Sequence, residues 1–277
     1  MKGINWLASY PKSGNTWMRI FLANYLEKDG RKVGINEIPS LPAVSRQLFD
    51  REMGLESTCL TGEEIFRLRP LLYEWIASRA EEEWYMKIHD PLVEVSPGLP
   101  IIPVKGTAHL IYIIRNPLDV AVSLADFLGM DIDRAISLMD RNNWTYNSCE
   151  GTLLYCPWVS WSFHVESWVK NRRFPVHTVR YEDLKNSPYH FFGDVVRFLG
   201  LSFDEDRLIK AVANSDFDEL KRQEGETPFK EKSPYAGSFF RKGVAGEWRW
   251  ILNKDQVKQI INAHGRVMAQ FGYLDGV

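Results

Sequence analysis

The sequence predicts an α/β fold with three layers, in which flanking helices cover a central parallel sheet. Short apolar strands alternate with longer helical patterns along the chain, which is typical of repeated strand–helix units. Segment 109–114 is a nearly continuous apolar run, as expected of a strand buried on both faces of a parallel sheet. We find no internal repeat, and 277 residues can bury one large core. We therefore expect a single domain over residues 1–277.

Individual elements follow from the spacing of apolar residues and from turn residues. Short apolar runs predict four strands, at 4–9, 84–88, 109–114 and 176–180. Helical spacing predicts helices at 15–27, 62–69, 71–82, 117–127, 157–170, 188–199, 204–213 and 254–270. Pro117 suits the first turn of its helix, where a missing N–H costs no hydrogen bond. Segment 224–247 is polar and contains Gly and Pro, so we expect a long surface loop with a functional role.

The composition argues against several kinds of partner. Apolar residues make up 45% of the chain, charged residues 25%, and the formal net charge is −2. A nearly neutral surface does not attract nucleic acid, so any anion site has to be a local basic cluster. No apolar run approaches the ~20 residues that span a bilayer, and no secretory leader is apparent. We therefore expect no membrane partner and a cytoplasmic location.

Three cysteines, Cys59, Cys149 and Cys156, are too few and too scattered for a disulfide framework or a zinc site. We expect free thiols in a reducing compartment, with a Cys149–Cys156 disulfide as the alternative.

A strand, a glycine-containing loop and a helix follow one another near residue 10. The loop is Tyr10-Pro-Lys-Ser-Gly-Asn-Thr-Trp17, and its backbone N–H groups and helix N-terminus make an anion cradle to which Lys12 adds a positive charge. It is not a Walker A loop, because its lysine precedes the glycine. The residues alone predict a phosphate or sulfate loop, and a turn with an exposed lysine is the alternative.

This loop resembles the Tyr-Pro-Lys-Ser-Gly-Thr-Thr-Trp loop of the cytosolic-type sulfotransferases, which use 3′-phosphoadenosine 5′-phosphosulfate (PAPS). Four further segments resemble that family in the same order, so the likeness spans nearly the whole chain. It implies that Lys12 is the catalytic cation and that Trp17 flanks the adenine, although Trp17 also suits a core position. It also implies that the 5′-phosphosulfate is held by Ser13, Gly14, Asn15 and Thr16.

The second matching segment is Met86-Lys87-Ile88-His89, which resembles the family's Lys-Thr-His segment. The resemblance implies that His89 is the general base that takes the proton of the acceptor hydroxyl, and that Lys87 helps to hold the sulfuryl oxygens. By strand alternation Ile88 faces away from Lys87 and His89, so its replacement of threonine should matter little.

Two segments resemble the 3′-phosphate site of the family. The first runs from Arg115 to Ser123, and the guanidinium fork of an arginine suits phosphate oxygens. The second is Phe239-Phe-Arg-Lys-Gly-Val-Ala-Gly-Glu-Trp248, which contains Arg241, Lys242 and Gly243. Its glycines let backbone N–H groups approach an anion closely. The resemblance also implies nucleotide contacts that concern chiefly the adenine, from Tyr181, Ser215, Phe217 and Phe239. A surface cation at Arg115 and a core role for Phe217 are the alternatives.

The predicted function is therefore sulfuryl transfer from PAPS to a hydroxyl of a small-molecule acceptor, with adenosine 3′,5′-bisphosphate (PAP) as product and without a metal. Abundant aromatic residues suggest an aromatic or hydrophobic acceptor bound near Phe127, Trp144, Tyr146, Tyr155, Phe229 and Tyr235. The opening segment is most similar to bacterial members, among them enzymes that sulfate glycopeptide antibiotics, which implies secondary metabolism.

The family's dimerisation segment is not evident after Trp248, so the oligomeric state stays open. Two other functions remain as alternatives, a P-loop-like nucleotide kinase and a catalytically silent adenine-nucleotide sensor. The missing Gly-Lys-Ser/Thr counts against the kinase, and the intact set Lys12, Lys87 and His89 counts against the sensor.

Overall fold

A computed structural model describes residues 2–142, 144–146 (backbone only), 151–275 and 277. Its strands are Ile4–Ser9 (β1), Leu41–Pro42 (β2), Trp84–Ile88 (β3), Glu94–Ser96 (β4), Leu99–Pro100 (β5), Thr107–Ile114 (β6), Trp144–Tyr146 (β7), Cys156–Trp158 (β8) and Val176–Arg180 (β9). Its helices are Asn15–Leu26 (α1), Arg46–Met53 (α2), Gly62–Ser78 (α3), Pro117–Leu128 (α4), Ile132–Met139 (α5), Trp161–Val169 (α6), Tyr181–Asn186 (α7), Pro188–Phe198 (α8), Glu205–Asn214 (α9), Phe217–Glu226 (α10), Trp248–Ile251 (α11) and Lys254–Gln270 (α12).

Five strands form the central sheet in the order β2-β3-β1-β6-β9. β1 pairs with β3 in parallel, with Ile4 opposite Trp84 and Ala8 opposite Ile88, and β2 also pairs with β3 in parallel. Every residue of β1 is buried, as are residues 110–114 of β6, which is the burial expected of inner parallel strands. The predicted α/β class, with a central parallel sheet and flanking helices, is confirmed.

The chain divides into two compact units. The first comprises Met1–Tyr10, Ser40–Tyr112 and Arg141–Thr178, and it contains β1, β3, α3 and α6. The second comprises Pro11–Pro39, Ile113–Asp140 and Val179–Val277, and it contains α1, α4 and the helices from α7 onward. The single domain over residues 1–277 stays a prediction. In the part of the chain that the structure describes, no helix combines the length and apolarity needed to cross a membrane.

Helix α3 corrects the prediction of two helices at 62–69 and 71–82. It runs through Pro70 without a break, and a capping box between Thr61 and Glu64 starts it. A proline inside a helix removes one backbone hydrogen bond. Here Pro70 is buried, as are Ile65 and Leu72 of the same helix. Packing of this apolar face therefore outweighs the local preference of proline.

Two further boundaries differ from the prediction. Residues 157–158 belong to β8, and α6 begins only at Trp161, where the Ser160 hydroxyl accepts a hydrogen bond from the Phe163 N–H. The loop predicted from residue 224 begins later, because α10 continues to Glu226. Residues 227–247 form no strand and no α-helix, and we refer to them as the cap segment.

A wholly buried ion pair fixes the chain where β3 ends. Arg69 of α3 donates from both Nη atoms to the two carboxylate oxygens of Asp90 at 2.7 Å each, and both side chains are 0% exposed. The Tyr73 hydroxyl accepts from Arg69 Nε at 2.8 Å. Because buried charges persist only when they are paired and hydrogen-bonded, this cluster anchors α3 to the residue that follows His89.

Replacement of Asp90 by alanine should destabilise the protein strongly, because it leaves the Arg69 guanidinium buried without its partner. We expect the free energy of unfolding, measured by urea denaturation, to fall by about 3–5 kcal/mol. Glu63→Ala is the matched control, since it breaks the exposed Arg67–Glu63 pair of the same helix and should change stability little. Equal losses in the two variants would contradict this assignment.

Candidate active site

In the first unit, β3 presents Lys87 and His89 on one side. Both residues are half-buried, whereas Met86 and Ile88 between them are buried. Alternation along the strand therefore puts Ile88 on the opposite side from the two basic residues, as the sequence predicted. His89 directly follows the last residue of β3.

The hydrogen bonds of His89 define which ring nitrogen is basic. Its Nδ1 lies 2.8 Å from the Ser9 carbonyl oxygen and 3.3 Å from the Ser9 hydroxyl. A carbonyl oxygen can only accept a hydrogen bond, so Nδ1 carries the proton of the neutral ring. Nε2 is then the nitrogen with the lone pair, which is the form that a general base needs.

In the second unit, the loop after β1 has an unusual backbone. Lys12 has φ 65°, and among the described residues it is the one non-glycine residue with a positive φ. This conformation costs about 1–2 kcal/mol for an L-residue, and such strain is found at functional sites. Gly14 has φ 103° and starts α1, where Asn15 and Thr16 form the buried first turn.

The ammonium group of Lys12 lies between two aromatic rings. Its Nζ is 4.4 Å from the ring centroid of Phe127 in α4 and 4.5 Å from that of Phe239 in the cap segment. Both distances lie within the range of cation–π attraction. The two rings give the charged ammonium group a partly apolar environment. Phe239, which was predicted to contact the nucleotide, contacts Lys12 in this structure.

Arg115 directly follows β6 and connects the loop to the cap segment. Its Nη1 donates to the Lys12 carbonyl at 3.1 Å and its Nη2 to the Val244 carbonyl at 3.2 Å. The guanidinium carbon lies 4.5 Å from the ring centroid of Tyr181, and Arg115 is 9% exposed. Arg115 therefore links the Lys12 loop to the cap segment and is not an isolated surface cation.

Two buried donors of this region fit an anionic ligand. The Ser13 hydroxyl, in a residue that is 0% exposed, and Arg115 Nε have no hydrogen-bond partner among the described residues. Buried polar groups are normally satisfied, so donors left over in a basic loop indicate a site for an anion. A Cβ on Gly14 would lie 2.7 Å from the Tyr181 ring, so the glycine allows this close approach.

One face of α4 carries three residues at four-residue spacing, Asp119, Ser123 and Phe127. The Asp119 carboxylate accepts from the N–H groups of Gly246 at 2.6 Å and Trp248 at 3.0 Å. Phe127 touches Lys12, as described above. Because residues four apart share a helix face, half-buried Ser123 lies on the side that faces these groups.

The basic pair Arg241 and Lys242 is already engaged by an acid. Both Nη atoms of Arg241 donate to Glu247, at 2.6 and 2.5 Å, and Lys242 Nζ lies 3.2 Å from the same carboxylate. Burial raises the pKa of the Glu247 carboxyl, but the hydrogen bonds and charges of Arg241 and Lys242 outweigh burial and hold that pKa below its ordinary value. Glu247 was not predicted as part of this site, although it lies six residues after Arg241.

Aromatic residues predicted to contact adenine cluster in the second unit. Trp17 meets Tyr181 edge-on at 5.7 Å, and Lys185 Nζ lies 5.4 Å from the Trp17 ring. Phe217, at the start of α10, packs directly on Gly243, whose φ is 61°. The buried hydroxyl of Ser215, in contrast, donates to the Ala211 and Val212 carbonyls and so closes α9.

The residues predicted to line an acceptor site differ widely in burial. Phe229 is 2% exposed within an apolar core cluster, whereas Tyr235 is 63% exposed. The side chains of Trp144 and Tyr146 lie outside the described residues.

Of the three cysteines, Cys59 and Cys156 are free thiols, and Cys149 lies outside the described residues. The described residues contain no group of three or more His, Cys, Asp or Glu that could hold a metal ion, and a metal-free reaction stays a prediction.

Comparison with known proteins places this arrangement in context. A family model described as "Sulfotransferase domain" matches residues 5–272. Sulfotransferase 1A1 of Rattus norvegicus is 30% identical over 260 residues, which cover 88% of this chain and 77% of that protein. The mouse sulfotransferase SULT7A1 complexed with PAP aligns over 97% of this chain and 85% of its own, with 19% identity and a TM-score of 0.59. Retinol dehydratase in a complex with retinol and PAP aligns over 97% and 82%, with 20% identity and a TM-score of 0.63.

The contact between Gly243 and Phe217 should make Gly243→Ala unusually destabilising. A Cβ at Gly243 would overlap the Phe217 ring, whereas one at Gly30 would meet no atom within 4 Å, and both glycines have a left-handed φ. Gly30→Ala thus controls for backbone strain. We expect Gly243→Ala to lower the free energy of unfolding by a further ~1–3 kcal/mol. Equal losses in thermal or urea unfolding would refute the close packing.

Proposed function

The chain belongs to the sulfotransferase family, and we propose that it transfers the sulfuryl group of PAPS to a hydroxyl of a small-molecule acceptor. The single observation that supports a binding site for PAPS is the bridge made by Arg115. Its guanidinium donates to the Lys12 carbonyl and to the Val244 carbonyl of the cap segment. This bridge gathers the loop, the arginine and the cap segment within one unit, and solved relatives of the same fold hold PAP.

The residues of the second unit would hold the nucleotide as follows. Ser13 and the backbone of Gly14, Asn15 and Thr16 would bind the 5′-phosphosulfate, since the Ser13 hydroxyl is a buried donor with no partner among the described residues. The 3′-phosphate would be held by Arg115, Ser123, Arg241, Lys242 and the backbone of Gly243. The adenine would lie among Trp17, Tyr181, Ser215, Phe217 and Phe239. PAPS supplies an activated sulfuryl group with a good leaving group.

Three residues are proposed to act on the reacting atoms. His89 takes the proton of the acceptor hydroxyl on Nε2 while the hydroxyl oxygen bonds to sulfur and the bond from sulfur to the bridging oxygen breaks, so that PAP leaves. Lys12 stabilises charge on the sulfuryl and bridging oxygens, and Lys87 helps to hold the sulfuryl oxygens. The Ser9 carbonyl supports this role of His89 because it fixes the proton on Nδ1.

An aromatic or hydrophobic acceptor is supported by the ring that touches the proposed catalytic cation. Phe127 lies 4.4 Å from Lys12 Nζ, so an apolar surface adjoins the charged group. A solved relative of the same fold holds retinol, which is a hydrophobic alcohol. A natural-product acceptor and a bacterial source are proposals that rest on the resemblance of the opening segment. A cytoplasmic location is a proposal that rests on the likeness to cytosolic relatives.

The proposal is tested by radiolabelled PAPS incubated with the protein and a panel of phenols and hydrophobic alcohols, followed by identification of labelled products. Transfer of label to a hydroxyl supports the proposal. PAP binding without any transfer, to this panel or to a cell extract, would favour the silent nucleotide sensor. Tighter calorimetric binding of ATP than of PAP would favour the kinase.

His89→Ala should separate chemistry from nucleotide binding. Loss of a general base costs about 10²–10⁴-fold in kcat. PAP affinity, measured by calorimetry, should stay unchanged because the residues proposed to hold the nucleotide belong to the other unit. Lys12→Ala should lower kcat as well, because it removes the charge proposed to stabilise the sulfuryl and bridging oxygens. A His89→Ala enzyme with wild-type kcat would overturn the assignment of the base.

Arg115→Ala should weaken PAP binding more than binding of adenosine 5′-monophosphate, which lacks the 3′-phosphate. Hydrogen bonds from a charged group are worth about 1.5–3 kcal/mol, so we expect the Kd for PAP to rise about 10- to 100-fold. The monophosphate serves as the control for an intact loop. Arg115→Lys keeps the positive charge but lacks the planar fork of donors. Its Kd for PAP should therefore lie between those of the wild type and Arg115→Ala. Equal losses for both ligands would assign Arg115 to loop structure alone.

A further inference from the structure

A second histidine, His164 of α6, lies next to the main chain of His89 in the first unit. It is 1% exposed, and the proposed reaction does not use it. Its Nε2 lies 3.1 Å from the His89 carbonyl oxygen, and its Nδ1 lies 2.9 Å from the Tyr112 hydroxyl. His164 therefore contacts the main chain of the residue proposed as general base.

The direction of both hydrogen bonds follows from the charge state of His164. Burial lowers the pKa of His164 to about 4, so the ring is neutral near pH 7 and carries one N–H. The His89 carbonyl can only accept, so the proton of His164 is on Nε2. Nδ1 then accepts from the Tyr112 hydroxyl. This buried chain runs in one direction, from Tyr112 through His164 to the main chain of His89.

A neighbouring donor on the same helix makes a parallel contact. Trp168, four residues after His164, donates from its indole Nε1 to the Asp90 carbonyl at 3.2 Å. Side chains four residues apart share a helix face, so α6 offers two N–H donors to the two consecutive carbonyls that follow β3. The peptide that carries the His89 ring is thus held on one side by α6, while the ring itself is held by Ser9.

We propose that His164 is a positioning residue, whose Nε2–H holds the His89 carbonyl so that the His89 ring keeps Nδ1 protonated against Ser9 and Nε2 basic. The catalytic consequence rests on the proposed function, whereas the effect on the His89 ring does not. A purely structural role in the core would require only the shape of the His164 ring, not its N–H.

His164→Met and His164→Gln separate these two roles. The two new side chains have similar size, but only glutamine keeps an N–H near the position of Nε2. NMR of protein with ¹⁵N-labelled histidine reports the tautomer of each ring. We expect Nδ1–H at His89 and Nε2–H at His164 in the wild type, a mixture of tautomers at His89 in His164→Met, and recovery of Nδ1–H in His164→Gln.

Turnover of PAPS should follow the tautomer. Misplacement of a catalytic group can cost about 10²-fold, so we expect kcat to fall about 10- to 100-fold in His164→Met and only a few-fold in His164→Gln, with unchanged PAP affinity in both. An unchanged His89 tautomer in folded His164→Met would overturn the proposal. So would a wild-type His164 protonated on Nδ1, even if neither variant folds. Failure of the wild type to bind PAP would count against the proposed function and would leave the tautomer result standing.

Discussion

The proposed nucleotide site of the second unit depends above all on the guanidinium of Arg115. This side chain reaches the Lys12 carbonyl and the Val244 carbonyl, which are 103 and 129 residues away along the chain. Because a guanidinium presents its donors in a rigid planar fork, it fixes the distance between those two segments, which a flexible lysine would not. The strained backbone of Lys12 is therefore stabilised by the same cation that is proposed to neutralise a phosphate, and loop shape and anion affinity are coupled through one residue.

Carboxylates hold the cap segment in place, although the site is proposed to bind an anion. Glu224 accepts from the N–H groups of residues 239 and 240, Asp119 accepts from those of residues 246 and 248, and Glu231 pairs with buried Arg19 at 2.8 Å. Each of these three carboxylates is thus paired with N–H donors of the protein itself. The charge that faces a ligand is then set by Lys12 and the arginines rather than by the net charge of the chain.

Local patterns predicted much of the fold, because several elements can be recognised from the residue pattern of their own segment. β1, β3, β9 and α12 have the predicted bounds, and each is a uniform pattern that ends at a cap or turn. The errors lie where other forces decide. Pro70 stays inside α3 because a long apolar face is packed. α10 was missed because Leu220 is its one buried residue among those described, so it has almost no apolar period.

The candidate site shows the same division between local and distant information. The phosphate loop could be proposed from its residue types and their order, and the Arg-Lys-Gly segment from its resemblance to the family, and both stay predictions. The partners of His89 were not, since Ser9 is 80 residues away and His164 is 75, and both contacts use a carbonyl oxygen, which every residue has. A sequence can therefore name a histidine as a candidate base. Which nitrogen of that ring is basic depends on the carbonyl that the fold places beside it, so the chemistry of His89 depends on the pairing of β1 with β3.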